Sequence, residues 1–474
     1  MAIGHQMERN MVSKGIDLVV NHVNKDREKG FVQLVDITEK IAGDMFQKQT
    51  YDNARAMFSN PDAKWTKYIN KALDEINPNV FKMNALNLGF EAAWYGTKTI
   101  RKNRDVYKCN IPWVILMDPT SACNLRCTGC WAAEYGHEMS LSYETLESIV
   151  KQGREIGTYF YMLTGGEPLM RKKDIIRLAK EFNDCAFHVY TNGTLIDDDF
   201  CKQCVEVGNI SFALSLEGFE ETNDARRGKG IYKRVLEAMD LMKSYGLLFG
   251  TSICYTSANY STVTSDTFLD LIIDHGCRFS WYFNYMPVGK GADMKLLCNP
   301  SQREYMYHRI REIRGKEGGK PIFVMDFQND GEFVGGCIAG GRNYCHINAN
   351  GDVEPCVFIH YSGANIKDKT LLECLHQPLF MAYRDGQPFN QNQLRPCPML
   401  ENPELLKKMV MQTGAHSTEF IEPESADELC AKCSKYAMIW KPKAEEIWAN
   451  NPHHKQYYEN YKSENRSPEY REHK

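Results

Sequence analysis

Six short apolar runs, at 113–117, 158–163, 186–191, 209–216, 249–255 and 279–285, alternate with amphipathic stretches. Runs this short, separated by helix-length segments, predict repeated βα units. The stretch 142–156 shows the pattern: Ser142 is a candidate N-cap, and Leu146, Ile149 and Val150 form one buried stripe. Parallel strands joined by right-handed crossovers over ~200 residues predict an α/β fold, a partial (βα)6 TIM-type barrel rather than the eight-stranded form. In such sheets the chemistry gathers at the C-terminal strand ends.

The unusual residues of this chain fall at those ends. The first run leads into Asp118-Pro-Thr-Ser-Ala-Cys123-Asn-Leu-Arg-Cys127-Thr-Gly-Cys130. A four-iron cluster normally takes four thiolates, so Cys123, Cys127 and Cys130 leave one iron open for a ligand. A zinc site lacking its fourth ligand is the competing reading. The second run enters Thr164-Gly-Gly-Glu-Pro168, the third ends in Thr191-Asn-Gly193, and the sixth leads into Met286-Pro-Val-Gly-Lys290. Gly165 and Gly166 let backbone approach a ligand, Glu167 offers a carboxylate to an ammonium group, and Pro168 stiffens the turn. Ser215 and Glu217 alternate along the fourth run, so both side chains face one way and can hydrogen-bond a ribose.

The cysteine spacing and the Gly-Gly-Glu-Pro segment on the next strand resemble the radical S-adenosylmethionine (radical SAM) family. The resemblance implies a 4Fe–4S cluster on Cys123, Cys127 and Cys130, and S-adenosylmethionine chelated to its open iron through amino and carboxylate groups. An electron from the cluster then yields methionine and a 5′-deoxyadenosyl radical. Gly165, Gly166, Glu167, Pro168, Ser215 and Glu217 are the implied cosubstrate-binding residues, the serine–acid pair matching a ribose-binding motif. The chain departs from the family at Gly129, where an aromatic residue usually precedes the third cysteine; Trp131 follows it instead. Arg226 and Arg227 are candidates to pair with the cosubstrate carboxylate, a flexible surface loop being the alternative.

A Gly- and Lys-rich linker at 315–321 precedes a second group of cysteines. Cys337 and Cys356 flank Asn350-Gly351, the signature of a tight hairpin. Their spacing resembles the opening of SPASM or "twitch" auxiliary-cluster domains, as do Asn365-Ile366, Thr370 to Glu373 and Pro378-Leu-Phe380. The resemblance implies one auxiliary 4Fe–4S cluster on Cys337, Cys356 and Cys397, with Cys345, Cys430 or Cys433 open as a fourth ligand and structural zinc as the alternative. Cys185, Cys201, Cys204, Cys254 and Cys277 read as apolar filler.

Seventeen cysteines without a signal-peptide core point to thiols kept reduced in the cytoplasm for metal or cluster ligation. The net charge of −4 argues against a nucleic-acid surface, and no apolar run approaches the ~20 residues of a membrane span. The resulting division is a helical region over 1–108, a core barrel over 109–318, a small Cys-rich domain over 319–440 and a polar tail over 441–474. Apolar positions such as Val12, Ile16, Val19 and Val23, then Leu34, Ile37, Ile41 and Met45, mark the first helices. They suit either a cap on the barrel or a surface meeting a membrane or lipid. The expected activity is that of an anaerobic radical SAM oxidoreductase or transferase abstracting hydrogen from a C–H bond. Its electron donor is a reduced flavodoxin or ferredoxin, and its substrate a peptide or protein, or else a lipid or small molecule. No catalytic side chain is singled out. A non-catalytic iron–sulfur or zinc scaffold explains the cysteines but leaves Gly165 to Glu167, Ser215 and Glu217 without employment.

Overall fold

The computed structural model describes residues 3–23, 26–42, 48–315 and 319–451; the segment 316–318 of the expected linker and Met45 lie outside them, as do the side chains of Val19, Val23 and Ile41. All six expected runs form strands: β1 (Val114–Met117), β2 (Phe160–Leu163), β3 (Ala186–Thr191), β4 (Ile210–Ser215), β5 (Phe249–Tyr255) and β6 (Phe279–Asn284). They pair parallel, each with the next, to make the expected open barrel wall. Helices between them carry the predicted caps; the Ser142 hydroxyl accepts from the Thr145 N–H at 3.1 Å, and Leu146, Ile149 and Val150 are buried.

The sheet runs further than the six runs foretell. β7 (Phe323–Asp326) adds in parallel to β6, while β8 (Tyr344–Ile347) adds in parallel to the free edge of β1. β9 (Val353–Glu354) folds back antiparallel on β8 as the hairpin expected around Asn350-Gly351. Gly351 has φ of 95°, and a Cβ there would lie 2.6 Å from Asn365 Oδ1, so the turn requires glycine. The nine-stranded order is therefore β7-β6-β5-β4-β3-β2-β1-β8-β9.

The N-terminal helices cover the end of the sheet opposite the cysteines. Their contacts fall on residues just ahead of successive strands. Asn103 donates to Ile156 O (3.0 Å), Asn87 to Cys185 O (2.7 Å), Asn84 to Gly208 O (2.9 Å) and Tyr68 to Arg278 O (2.8 Å). Buried Glu91 ties the first helix down through His5 (2.8 Å) and Arg9 (2.7 Å). This is the cap arrangement.

The polar tail expected from residue 441 begins as helix. Ala426–Asn450 is one helix, and Trp440, Ala444 and Ile447 make a buried stripe at helical spacing that polar neighbours hide from a composition reading. Trp440 donates to Leu394 O at 3.1 Å and lies under the Arg303 guanidinium. Residues 452–474 lie outside the described residues.

A buried ionic group joins β8 and β9 to β1. His346 Nδ1 lies 2.6 Å from Glu354, and its Nε2 lies 3.0 Å from Asp118 in an ionic rather than directed hydrogen-bond geometry. Tyr135 donates to both Glu354 oxygens, at 2.9 and 2.7 Å. Burial opposes a charged imidazole, but Asp118 and Glu354 outweigh it and lift the His346 pKa from 6.5 to about 10. Between those values the folded chain holds a proton that the unfolded chain has lost, so stability falls as pH rises. We predict that the contribution is whole below about pH 6.5 and gone above pH 10. Denaturant midpoints measured across that window test it: His346→Gln should flatten the slope, and an unchanged slope would refute the assignment.

Candidate active site

Strand ends β1 to β6 and the β8–β9 extension enclose one cavity of about 730 Å³. Cys123, Cys127 and Cys130 line it on one side and Cys337, Cys356 and Cys397 on another. Gly165, Gly166, Glu167, Ser215 and Glu217 also line it, so the residues singled out on separate strands meet in one place. Pro168 is buried at the start of the short helix Pro168–Arg171.

The two glycines have a more specific reason than open space for a ligand. A Cβ on Gly166 would lie 2.3 Å from the carbonyls of Ser121 and Ala122; one on Gly165, where φ is 109°, would lie 2.5 Å from Thr120 O. The cysteine loop itself presses on them. Gly166 N donates to Thr120 O at 3.0 Å and Glu167 N to Ala122 O at 2.8 Å, which fixes Cys123 against β2.

Glu167 is buried and turns its carboxylate to the protein. It accepts from Leu169 N (3.0 Å), Thr191 Oγ1 (2.7 Å) and Asn192 N (2.8 Å), joining the ends of β2 and β3. Burial raises its pKa against the pull of these bonds. Glu217 binds Arg226 at 2.6 Å and Arg227 at 3.1 Å through Oε1, and accepts Cys254 N at 2.9 Å through Oε2.

The arginines sit at the end of the helix Glu220–Arg227 rather than in a flexible loop. Arg226 donates to Thr128 O at 3.1 Å, and Arg227 Nη1 stands 3.9 Å from Cys127 Sγ. Two cations thus brace the cysteine loop and oppose the rise that burial imposes on the Cys130 thiol. In place of the expected cosubstrate carboxylate, both arginines meet the Glu217 carboxylate and the cysteine loop.

The vacancy at Gly129 is filled from elsewhere: a Cβ there would meet the Tyr285 ring at 2.9 Å. Trp131 packs instead on the extension, 5.7 Å from His346 and 6.4 Å from Phe358 between ring centroids. Tyr285 escaped the sequence reading, although its place at the end of β6, just before Met286-Pro, was the available signal. Cys254 also escaped it. Expected as filler, it lines the cavity beyond the Glu217 contact.

In the auxiliary group the Tyr344 hydroxyl donates to Cys356 Sγ at 3.0 Å, and Leu400 N donates to Cys397 Sγ at 3.4 Å. Glu401 accepts from Cys397 N at 2.8 Å and pairs with buried Arg303 at 2.6 Å, linking the site to Trp440. None of the three open candidates for a fourth ligand lines the cavity. Cys345 alternates with Tyr344 and His346 on β8 and so faces away, toward Cys374. Cys430 lies by Ser434, while Cys433 is buried in the last helix.

Burial pushes the thiols of Cys123 and Cys337 up to about 11 and that of Cys356 to about 12. Within each triad the thiols also raise one another. Among the described residues no three His, Cys, Asp or Glu side chains gather closely enough for a single metal ion. A four-iron cube takes its thiolates at separate corners, whereas one zinc draws them in to bonds of ~2.3 Å.

Residues 117–271 match the family model described as Radical SAM superfamily, and residues 337–399 match SPASM, an iron-sulfur cluster-binding domain. Fe-coproporphyrin III synthase of Methanosarcina barkeri is 26% identical over 47% of this chain and 57% of its own length. AdoMet-dependent heme synthase of the same organism is 25% identical over 56% of this chain and 82% of its own. The crystal structure of Streptococcus suis SuiB bound to S-adenosylmethionine shares the fold, with a TM-score of 0.52 at 19% identity over 62% of this chain and 72% of that one. The two domains imply a 4Fe–4S cluster with S-adenosylmethionine and auxiliary iron–sulfur ligation. The thiol triads and the arginine pair suit those groups.

We predict that Gly166→Ala displaces the Cys123 loop, lowers stability by ~2 kcal/mol or more and reduces iron loading at the first triad. Cys345→Ala should leave total iron unchanged, whereas Cys397→Ala should remove about half if each triad holds one cluster. Iron and sulfide quantitation with thermal melts checks all three; loss of iron on Cys345→Ala would reopen its place as a ligand.

Proposed function

We propose that this chain, which belongs to the radical SAM superfamily and carries a SPASM domain, is an enzyme that abstracts hydrogen from a C–H bond of a substrate held between its two cysteine triads. The observation that carries this reading is the shared cavity: both triads and the strand-end residues Gly165 to Glu167, Ser215 and Glu217 line the same space. A scaffold needs no such space. When bound, the first cluster and S-adenosylmethionine supply a 5′-deoxyadenosyl radical, using an electron from a reduced flavodoxin or ferredoxin.

The residues of the chain divide the remaining work. Cys123, Cys127 and Cys130 hold the cluster, with Arg227 beside Cys127 offsetting thiolate charge. Glu167 fixes the ends of β2 and β3 against each other, and the Gly165-Gly166 backbone keeps the cysteine loop seated on β2. Ser215 stands at the end of β4, on the wall where the cosubstrate ribose is expected. Cys337, Cys356 and Cys397 hold an auxiliary 4Fe–4S cluster that shares the cavity. Aromatic side chains wall one side of that space, and an apolar wall protects a reactive carbon-centred species from side reactions.

Anaerobic reconstitution followed by dithionite and S-adenosylmethionine should yield 5′-deoxyadenosine. Changing Cys123, Cys127 and Cys130 together to Ala should lower the yield at least ~100-fold while auxiliary iron remains. A fully loaded wild-type protein that forms no 5′-deoxyadenosine would favour the scaffold.

A further inference from the structure

Resting on that reading, we infer that the substrate part held in the cavity is an uncharged hydrocarbon chain. Alternate residues of single strands line the cavity at successive levels, including Val114 and Leu116, Trp281 and Phe283, and Phe323 and Met325. These are the inward faces of β1, β6 and β7, positions that in a closed barrel meet to fill the core. Here they leave a hollow continuous with the space beside the two cysteine triads and the cosubstrate-binding strand ends, the whole measuring about 730 Å³.

One side of the wall is a continuous apolar run, while Ser252, Asn284 and Gln328 stand elsewhere on the lining. Ring centroids follow one another from Trp281 to Phe283 (6.2 Å), Phe327 (5.4 Å) and Phe358 (6.4 Å from Phe327), and on to Trp131 (6.4 Å) beside the first triad. At the far side Phe323, Phe333 and Val334 line the same cavity and are 40, 52 and 45% exposed. Three large apolar side chains open to solvent at the rim make a mouth; Arg311 and Arg314 lie over the Phe333 ring there, 5.4 and 4.9 Å from its centroid, and are held by Glu332 and Asp330. Trp65 of the N-terminal cap stands over the mouth, 6.4 Å from the Phe323 ring.

The charges on the wall decide against an ionic substrate. Arg314 is engaged in two bonds to Asp330, at 2.7 and 2.9 Å, and Glu401 pairs with Arg303 at 2.6 Å. Asp326 accepts from Asn329 at 2.7 Å, and Glu217 holds both Arg226 and Arg227. No lysine lines the cavity among the described residues. A macrocycle carrying several carboxylates would find every arginine on the wall already paired. A peptide would bring an amide at every residue, more than the unpartnered Asn284 side chain on this wall can satisfy.

Binding tests the inference without turnover. The reconstituted holoprotein is titrated anaerobically with the methyl ester of cis-parinaric acid, a fluorescent polyene chain, and the probe is displaced by 1-alkanols of 8 to 16 carbons, a porphyrin tetracarboxylate and an unstructured peptide. Saturable binding is expected, with alkanol affinity rising by up to about fourfold per added methylene until the cavity fills. Phe333→Asp, at a solvent-exposed rim position beneath Arg311 and Arg314, should weaken the probe at least tenfold; Trp281→Glu should do the same from inside. Absence of saturable binding, no dependence on chain length, or stronger displacement by the porphyrin or the peptide would overturn the inference. Formation of 5′-deoxyadenosine by a protein that binds no alkyl chain would sink this inference alone; alkyl binding without that product would sink the catalytic reading alone.

Discussion

β1 is hydrogen-bonded along both edges, to β2 on one side and to β8 on the other, and the arrangement of the site depends on this. Backbone donors and acceptors on a buried strand need partners, and a free edge at β1 would leave a row of them open. The β8–β9 hairpin meets that need and carries the second cysteine group to the rim of the barrel. Because the first triad hangs from the C-terminal end of β1, both triads come to face the same space. A separate C-terminal domain tethered by a loop would have no reason to hold that geometry.

Charge is handled in a consistent way around this strand. Buried acids and bases close on one another: Asp118 and Glu354 on His346, Glu217 on two arginines, Glu401 on Arg303. Such groups are costly to desolvate and bring little net stability. Their value lies in position. The Asp118–His346–Glu354 group pins the hairpin to the residue where the cysteine loop begins, and the Glu217 group pins that loop from the opposite side through Arg226. The cavity between them is left with aromatic walls and with charged side chains engaged by protein groups.

Much of this was legible in the chain. The strand runs, the N-caps and the hairpin glycine are local matters, decided by side-chain periodicity and backbone freedom within a few residues, and each appears where periodicity placed it. Roles that depend on what a residue meets were less legible. Gly165 and Gly166 face the carbonyls of a loop more than 40 residues away in sequence, a contact that no local rule reveals. The helix Ala426–Asn450 hides its Trp440, Ala444 and Ile447 stripe among lysines and glutamates, so composition alone made a tail of its second half.

The order of the elements, the thiol spacing and the strand-end placement of the motifs follow from the amino-acid sequence, because each reflects short-range geometry. Which cysteines share a site does not. Cys345 is nearer to Cys337 along the chain than Cys356 is, yet strand alternation on β8 turns it away while the hairpin brings Cys356 in. The hollow itself is also a tertiary result: whether inward residues fill a barrel or line an opening depends on how far its walls curve before another element closes them. Here β7 and the extension on β1 set that distance.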